Sequence, residues 1–335
     1  MAVLATTHPT LRDVAARTDP NGNIADLVEI LNLTNQVLDD AVWIEGNLPT
    51  GHKTTVRSGL PQPTWRKLNY GVQPTKSRTV QVTDSTGMLE AYAEVDKALA
   101  DLNGNTAAWR MSEELAHIEG MNQEMVQTLF YGNDLVDEAE FTGFSARFNS
   151  QSAENFDNVV FAGGVVPDGN DNASVWLICW GPNTVHMIYP KGSKAGLQIE
   201  DKGQVTLESA PGGGGRMEAY RTHYRWDAAL TVRDWRYVVR GQYNQEDLVK
   251  DATTGPDLID LMTDMVERLP AISMGRCAFY ANRRAMSFLR RQIRNAVRNS
   301  TLSMVDIAGK QVVAFDGIPV RRVDALLDTE ATIGA

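Results

Sequence analysis

The side chains that could run a reaction are few and scattered. The histidines are His8, His52, His117, His186 and His223. None is paired with another His, a Cys or a carboxylate at the spacing a metal site needs. His117 falls in a helical segment near Glu113 and Glu114, where a hydrogen bond within the helix is a simpler role than catalysis. Cys179 sits between Ile178 and Trp180, and Cys277 precedes Ala278 and Phe279. Such surroundings suit buried thiols rather than nucleophiles, and two cysteines exclude a disulfide scaffold or a zinc ribbon. A phosphate-cradling loop needs Gly-x-x-x-x-Gly-Lys-Ser/Thr at a strand-to-helix turn. Lys191-Gly192-Ser193-Lys194-Ala195-Gly196 has the wrong spacing and reads as a surface turn. Gly143-Phe144-Ser145-Ala146-Arg147 lacks the final glycine of a nucleophile elbow. No catalytic constellation emerges, and neither a cofactor nor a metal is expected.

Charge is organised more clearly than chemistry. The segment 47–83 contains four prolines and no Asp or Glu, but carries Lys53, Arg57, Arg66, Lys67, Lys76 and Arg78. Thr54-Thr55-Val56 and the alternating Val80 and Val82 are strand-like. A long irregular loop inside a compact domain would be unusual, so the segment is expected to be a projecting hairpin that docks on another subunit. The simpler alternative is a solvated basic loop. In contrast, the stretch 94–140 has only Lys97 and Arg110 as cations. Within it Glu113, Glu114, Glu119 and Glu124 mark the polar face of a helix. The segment 283–299 carries Arg283, Arg284, Arg290, Arg291, Arg294 and Arg298 with no acid. It could grip phosphates but lacks the interleaved aromatics that base stacking wants, so a solvated or subunit-contacting face competes with nucleic-acid contact.

The elements that position these groups follow from periodicity. Ile24, Leu27, Val28, Leu31, Val37 and Leu38 predict a helix over 23–40, after a polar arm. Trp109, Met111, Leu115, Ile118, Met121, Met125, Val126, Leu129 and Phe130 predict a long helix from Thr106 to Tyr131, stopped by Gly132-Asn133. Strands are expected at 159–161, 175–180 and 185–189, with a turn at 181–184. The four glycines 212–215 make a mobile or tightly bent connection. A long β stretch then covers 217–244, split at Trp226-Asp227. Helices are predicted at 256–269 and 283–299, the latter with Met286, Leu289, Ile293 and Val297 on its apolar side. A strand at 276–280 lies between them. A closing pair, 311–315 and 318–323, is joined by Asp316-Gly317, a strong tight-hairpin signal.

The 335 residues carry 32 Lys+Arg against 42 Asp+Glu, a net charge of −10, which argues against coating nucleic acid through overall charge. Hydrophobic residues at 43% suit a folded chain of about two domains. No secretion signal or membrane span is read, and synthesis in a reducing cytoplasm is the simplest expectation.

Four segments, in this order and behind the basic loop and long helix, resemble one family: 185–203 (VHMIYPKGSKAGLQIEDKG), 220–244 (YRTHYRWDAALTVRDWRYVVRGQYN), 276–284 (RCAFYANRR) and 315–326 (FDGIPVRRVDAL). The chain resembles the major capsid proteins of tailed bacteriophages, in particular the short-tailed group related to epsilon-fifteen. Encapsulins and the herpesvirus capsid floor share that fold. The resemblance covers nearly the whole chain and implies an α+β fold. Residues 1–44 would be the N-terminal arm and helix, and 45–87 the extended loop over an adjacent subunit. The peripheral domain, with its spine helix and β-sheet, would take 88–140 and 205–250. The axial domain would take 141–204 and 251–335. The resemblance further implies hexamers and pentamers in an icosahedral shell around double-stranded DNA, with a portal protein, a separate scaffolding protein and a possible decorating protein as partners. Assembly in the host cytoplasm into a virion is expected, and no membrane. Lys53, Lys67 and Lys76 lie where some members crosslink covalently, but nothing marks the acidic catalyst, so a noncovalent shell is expected. An encapsulin-like compartment and a cytosolic enzyme are the rival readings.

Overall fold

The computed structural model describes residues 35–102, 106–208, 215–248, 257–295, 302–307 and 310–334. The arm, most of the helix expected at 23–40 and glycines 212–214 lie outside them. In chain order the elements begin with α1 (Val37–Asp40), β1 (Trp43–Glu45), β2 (Gly51–Gly59), β3 (Arg78–Ser85), β4 (Gly87–Asp96), α2 (Lys97–Ala100), α3 (Thr106–Tyr131) and α4 (Phe144–Arg147). There follow β5 (Val159–Phe161), β6 (Asn172–Trp180), β7 (Val185–Tyr189), β8 (Gln198–Glu208), β9 (Arg216–Val232) and β10 (Val238–Asn244). The last are α5 (Leu258–Glu267), β11 (Arg276–Ala281), α6 (Arg283–Asn295), β12 (Leu302–Ile307), β13 (Lys310–Phe315) and β14 (Ile318–Arg322). Two compact units divide the chain. One holds 88–125 and 196–227; the other holds 35–87, 126–195 and 228–334.

The larger unit is built around β6. Every residue of this strand is buried, as the apolar run 175–180 requires of a strand covered on both faces. It pairs antiparallel with β10 on one side and β11 on the other. On one face Val175 and Leu177 pack with Leu261, Met262 and Met265 of α5 and with Met286 and Leu289 of α6. On the other, Trp176 and Trp180 meet Phe144 at ring-centroid distances of 5.8 and 6.1 Å. Offset and edge-on aromatic contacts of this kind add to area burial. The β13–β14 turn takes left-handed angles at Asp316 (φ 49°) and Gly317 (φ 77°), as a two-residue hairpin demands.

The chain's last residues strap this unit. Glu330 N–H donates to the Asn172 carbonyl at 2.8 Å, and Gln242 Nε2 donates to the Ala331 carbonyl at 3.0 Å. Beneath the strap Arg240, 2% exposed, donates to Glu330 Oε2 at 2.9 Å, to the Phe148 carbonyl at 2.8 Å and to Ser174 Oγ at 3.0 Å. Tyr131 Oη donates to the other Glu330 oxygen at 2.6 Å. Burial, then that carboxylate, pushes the Tyr131 phenol well above its ordinary pKa.

The smaller unit sets α3 on a sheet of β4, β8 and the first part of β9. Strands β8 and β9 form a ladder from Gln198↔Arg225 to Glu208↔Arg216, with an irregularity at Asp201/Gly203. Leu89, Ala91, Ala93 and Val95 point inward from β4, while Met88, Glu90 and Tyr92 are exposed. Met121 packs with Ala93 and Tyr224, and Trp109 with Val95 and Ala100. Arg110 bridges to Asp201 at 2.8 Å, and Arg221 to Glu94 at 2.6 Å.

Three expectations need correction. Strand β9 is continuous through Trp226-Asp227, where a split was expected; Arg225 pairs with the buried Asp227 at 2.9 Å, so the carboxylate does not force the strand open. The real interruption is the 3-10 turn Trp235–Tyr237. Met111 and Leu115, expected on the buried face of α3, are 65% and 52% exposed. Cys179 and Cys277, expected as thiols, are directly opposite in the β6–β11 register and are joined as a disulfide. Strands β4 and β8, unassigned from sequence, are rich in Glu, Ala, Gln and Lys, which obscures a period-2 pattern.

Candidate functional site

The segment 47–83 forms a hairpin. Strands β2 and β3 pair from Gly51↔Ser85 to Gly59↔Arg78 as a separate two-stranded sheet. Residues 60–76 beyond it are all exposed. Lys53, Arg57, Arg66, Lys67, Lys76 and Arg78 are exposed, and none makes an ion pair among the described residues. The tip is also apolar: Leu60 is 77% exposed, Trp65 101%, Leu68 86% and Tyr70 70%. An isolated two-stranded hairpin is marginal in water, and large exposed apolar patches mark contact sites.

The root is anchored. Asn47 Oδ1 accepts from the Lys53 amide at 2.8 Å, and Asn47 Nδ2 donates to the Lys53 carbonyl at 2.7 Å. Arg147 of α4 donates to the buried Asp84 carboxylate at 2.9 Å and to the Leu230 carbonyl at 3.0 Å. The tertiary structure also joins two histidines that sequence spacing left apart: the rings of His52 and His186 are 6.0 Å apart. The Arg233 guanidinium lies 3.2 Å from His52 Nε2.

Burial, followed by Arg233 and then His52, lowers the His186 pKa to about 4; burial and Arg233 lower that of His52. A histidine depressed in the folded state stabilises it fully above its unfolded pKa near 6.5, and that contribution is lost as pH falls toward the folded value. The subunit's melting temperature is therefore expected to drop from pH 6.5 to about 4. His186→Leu should flatten that limb of the thermal-melt series; an unchanged slope would remove His186 as its source.

Glu113, Glu114, Glu119 and Glu124 all lie on α3. Glu114 meets Arg110 at 3.8 Å and accepts from Thr222 at 2.9 Å. Glu119 accepts from Gln123 at 2.8 Å, while Glu124 is exposed. His117 stacks beside Tyr224, centroids 6.0 Å apart, rather than bonding within its helix. Beside it a groove of about 340 Å³ opens between α3 and β4, with Leu89, Ala91 and Gly120 at its floor and Glu124 at its rim; the Glu90 carboxylate is held by His223 at 3.4 Å and Arg225 at 3.7 Å. On α6, Arg283 pairs with Asp324 at 3.0 Å. Arg284, Arg290 and Arg291 are exposed, and Arg291 lies over the Phe288 ring. Arg294 falls in the last turn, and Arg298 lies outside the described residues.

A second cavity, of about 730 Å³, lies in the larger unit between α5 and residues 161–168, with Asp168, Asp257, Asp260 and Asp264 on its wall. Among the described residues no three His, Cys, Asp or Glu side chains converge as metal ligands. No helix among them is long and apolar enough to cross a membrane.

A packed β core bearing an uncovered, cationic, apolar-tipped hairpin has the build of a subunit that is completed by other chains. The comparisons give that class its family. The family model for major capsid protein GP7 matches residues 19–334. A chain from the cryo-EM structure of bacteriophage Epsilon15 is 38% identical, with 100% of each chain covered and a TM-score of 0.76. The chain belongs to the major capsid protein GP7 family and has the tailed-phage capsid fold. The family is one of structural proteins rather than enzymes. The capsid of bacteriophage JBD30 matches at 8% identity over 89% of this chain and 92% of that one, TM-score 0.48. The SrpI encapsulin of Synechococcus elongatus matches at 13% identity over 70% and 95%, TM-score 0.42. Those two scores are too low to carry an argument. No curated protein sequence matches the chain.

Proposed function

We propose that this capsid protein forms the hexamers and pentamers of an icosahedral shell around double-stranded DNA. On this reading the extended loop of one copy lies on the acidic helix of a neighbour. The observation that carries it is the hairpin itself, with six exposed cations that no acid of the described chain pairs and an apolar tip that nothing covers. Residues Lys53, Arg57, Arg66, Lys67, Lys76 and Arg78 would face Glu113, Glu114, Glu119 and Glu124, of which Glu114 also accepts from Thr222 in its own unit. Such complementarity fixes register and partner choice more than it adds raw affinity. Head-to-tail contacts between identical copies close into rings.

The unit of 88–125 and 196–227 overlaps the expected peripheral domain of 88–140 and 205–250, but adds 196–204 and leaves 126–140 and 228–250 to the larger unit. The helix-covered sheet around β6 supports an axial domain drawn from 141–204 and 251–335, to which β10 is added by its pairing with β6. The exposed Arg284, Arg290 and Arg291 are free to contact DNA or a neighbouring subunit. A portal, a separate scaffold and a decorating protein would complete the particle, assembled in the host cytoplasm. Reversing charge with Arg66→Glu and Lys67→Glu tests the loop reading, because both residues are exposed at the tip. Shell yield, scored by electron microscopy, should fall about tenfold while the circular dichroism of the subunit is unchanged. Normal shells from this variant would sink the pairing.

A further inference from the structure

Gly120 occupies the middle of a 26-residue helix. Glycine there costs about 1 kcal/mol against alanine, and such a residue usually answers to close packing. Nothing among the described residues supplies that packing: a Cβ built on Gly120 meets no atom of theirs within 4 Å. The gap opens onto the groove between α3 and β4. Its floor is apolar, His117 and Tyr224 are already stacked at its side, and its rim carries the exposed Glu124. The hairpin tip has the opposite chemistry. Trp65, 101% exposed, is followed directly by Arg66 and Lys67.

We propose that the indole of Trp65 of one copy seats in the groove over Gly120 of a neighbouring copy, with Arg66 or Lys67 reaching Glu124 at its rim. This rests on the loop-over-helix reading and specifies its anchor. A missing side chain on the helix lets a flat ring approach the backbone. Trp and Arg are the residue types that dominate interface energetics when they enter a pocket, and here the Trp is followed directly by Arg66. The occupant is a second copy of this chain, because charge and apolar surface match and both halves are uncovered in the described subunit.

The test is a cross-link. The chain's own cysteines are bonded to each other and do not interfere. Shells of the Trp65→Cys, Gly120→Cys double variant should yield intersubunit disulfide ladders on mild oxidation. Neither single variant nor unassembled subunits should do so. Intact shells with no ladder, or a link confined within one chain, would overturn the anchor; the arm of 1–34 would then be the alternative occupant. The loop-over-helix reading would still stand or fall separately, on the charge reversal at Arg66 and Lys67. Should the double variant make no shells, Trp65→Ala, Trp65→Phe and Gly120→Ala decide the matter. Trp65→Ala should lower shell yield about tenfold or more, with Trp65→Phe near normal and the subunit's melting curve unmoved. Gly120→Ala should raise the subunit's melting temperature yet impair assembly. Assembly of Trp65→Ala at normal yield would overturn the proposal.

Discussion

Glu330→Ala is expected to cost the subunit about 3–5 kcal/mol, the usual penalty for breaking one side of a buried ion pair. For a chain of this size that lowers the melting temperature by on the order of 5 °C. The guanidinium of Arg240 is 2% exposed, and Glu330 is 5% exposed. Their contact is 2.9 Å, and Ser174 and Tyr131 also bond the same carboxylate. Removing it leaves a buried positive charge with only the Phe148 carbonyl and Ser174 Oγ as acceptors. It also strips partners from two hydroxyls, each unsatisfied group costing further stability. The damage should be to folding, not to assembly contacts. Replacing both charges, with Arg240→Met and Glu330→Met together, should recover much of the loss, because paired removal takes away the desolvation cost as well. Differential scanning calorimetry of the three variants distinguishes the cases. A double variant as unstable as Glu330→Ala would show that the hydroxyl network, not the ion pair, holds the strap.

Gly51→Ala is expected to act in the opposite way, leaving the two compact units folded and abolishing shells. A Cβ at this position would overlap the carbonyl oxygen of Asp84 across the hairpin root. That overlap is with backbone, so β2 and β3 must part where Gly51 pairs with Ser85. The neighbouring pair, His52 and Asp84, is buried and tied to Arg233 and Arg147, so the strain falls on the joint that aims the hairpin. A small rotation there is multiplied along a strand of nine residues at about 3.3 Å each. The tip would then miss a neighbouring site by several ångströms. The expected result is a loss of about tenfold or more in shell yield, with little change in circular dichroism. Normal particles from Gly51→Ala would mean that the loop's aim is set by the neighbour and not by its own root.

Much of the frame was legible from residue order. The helix Thr106–Tyr131 has the bounds its periodicity predicts, since its apolar spacing is local and its Gly132-Asn133 stop is immediate. The Asp316-Gly317 turn was readable because left-handed angles at two successive residues restrict the side chains that fit. The hairpin at 47–83 was readable because prolines and uniform charge set it apart. The failures are as specific. Met111 and Leu115 satisfy the helical period but are uncovered, because periodicity says which face is apolar and not what covers it. The supposed break at Trp226-Asp227 is bridged by Arg225, two residues away, whose direction depends on the strand already being formed. The acids Glu113, Glu114, Glu119 and Glu124 were rightly placed together on α3, but Glu114 is engaged by Thr222 of β9, which spacing could not show.

What the amino-acid order determined by itself is what acts within a few residues: helix period, turn chemistry, the segregation of a cationic segment from an acidic helix, and the four segments that carry the family resemblance. What only the tertiary structure decided are meetings between residues far apart in the chain. Cys179 and Cys277, separated by 98 residues, share one rung of a ladder. Arg240 and Glu330, separated by 90, share one buried charge network. His52 and His186 face one arginine at the root of the hairpin. The groove over Gly120 exists only because β4, unread as a strand, lies beside α3. Local conformational preferences are written in neighbouring side chains, whereas these contacts depend on strand register. A shift of one residue would turn every one of those side chains to the opposite face, and that register is set by burial summed over the whole sheet.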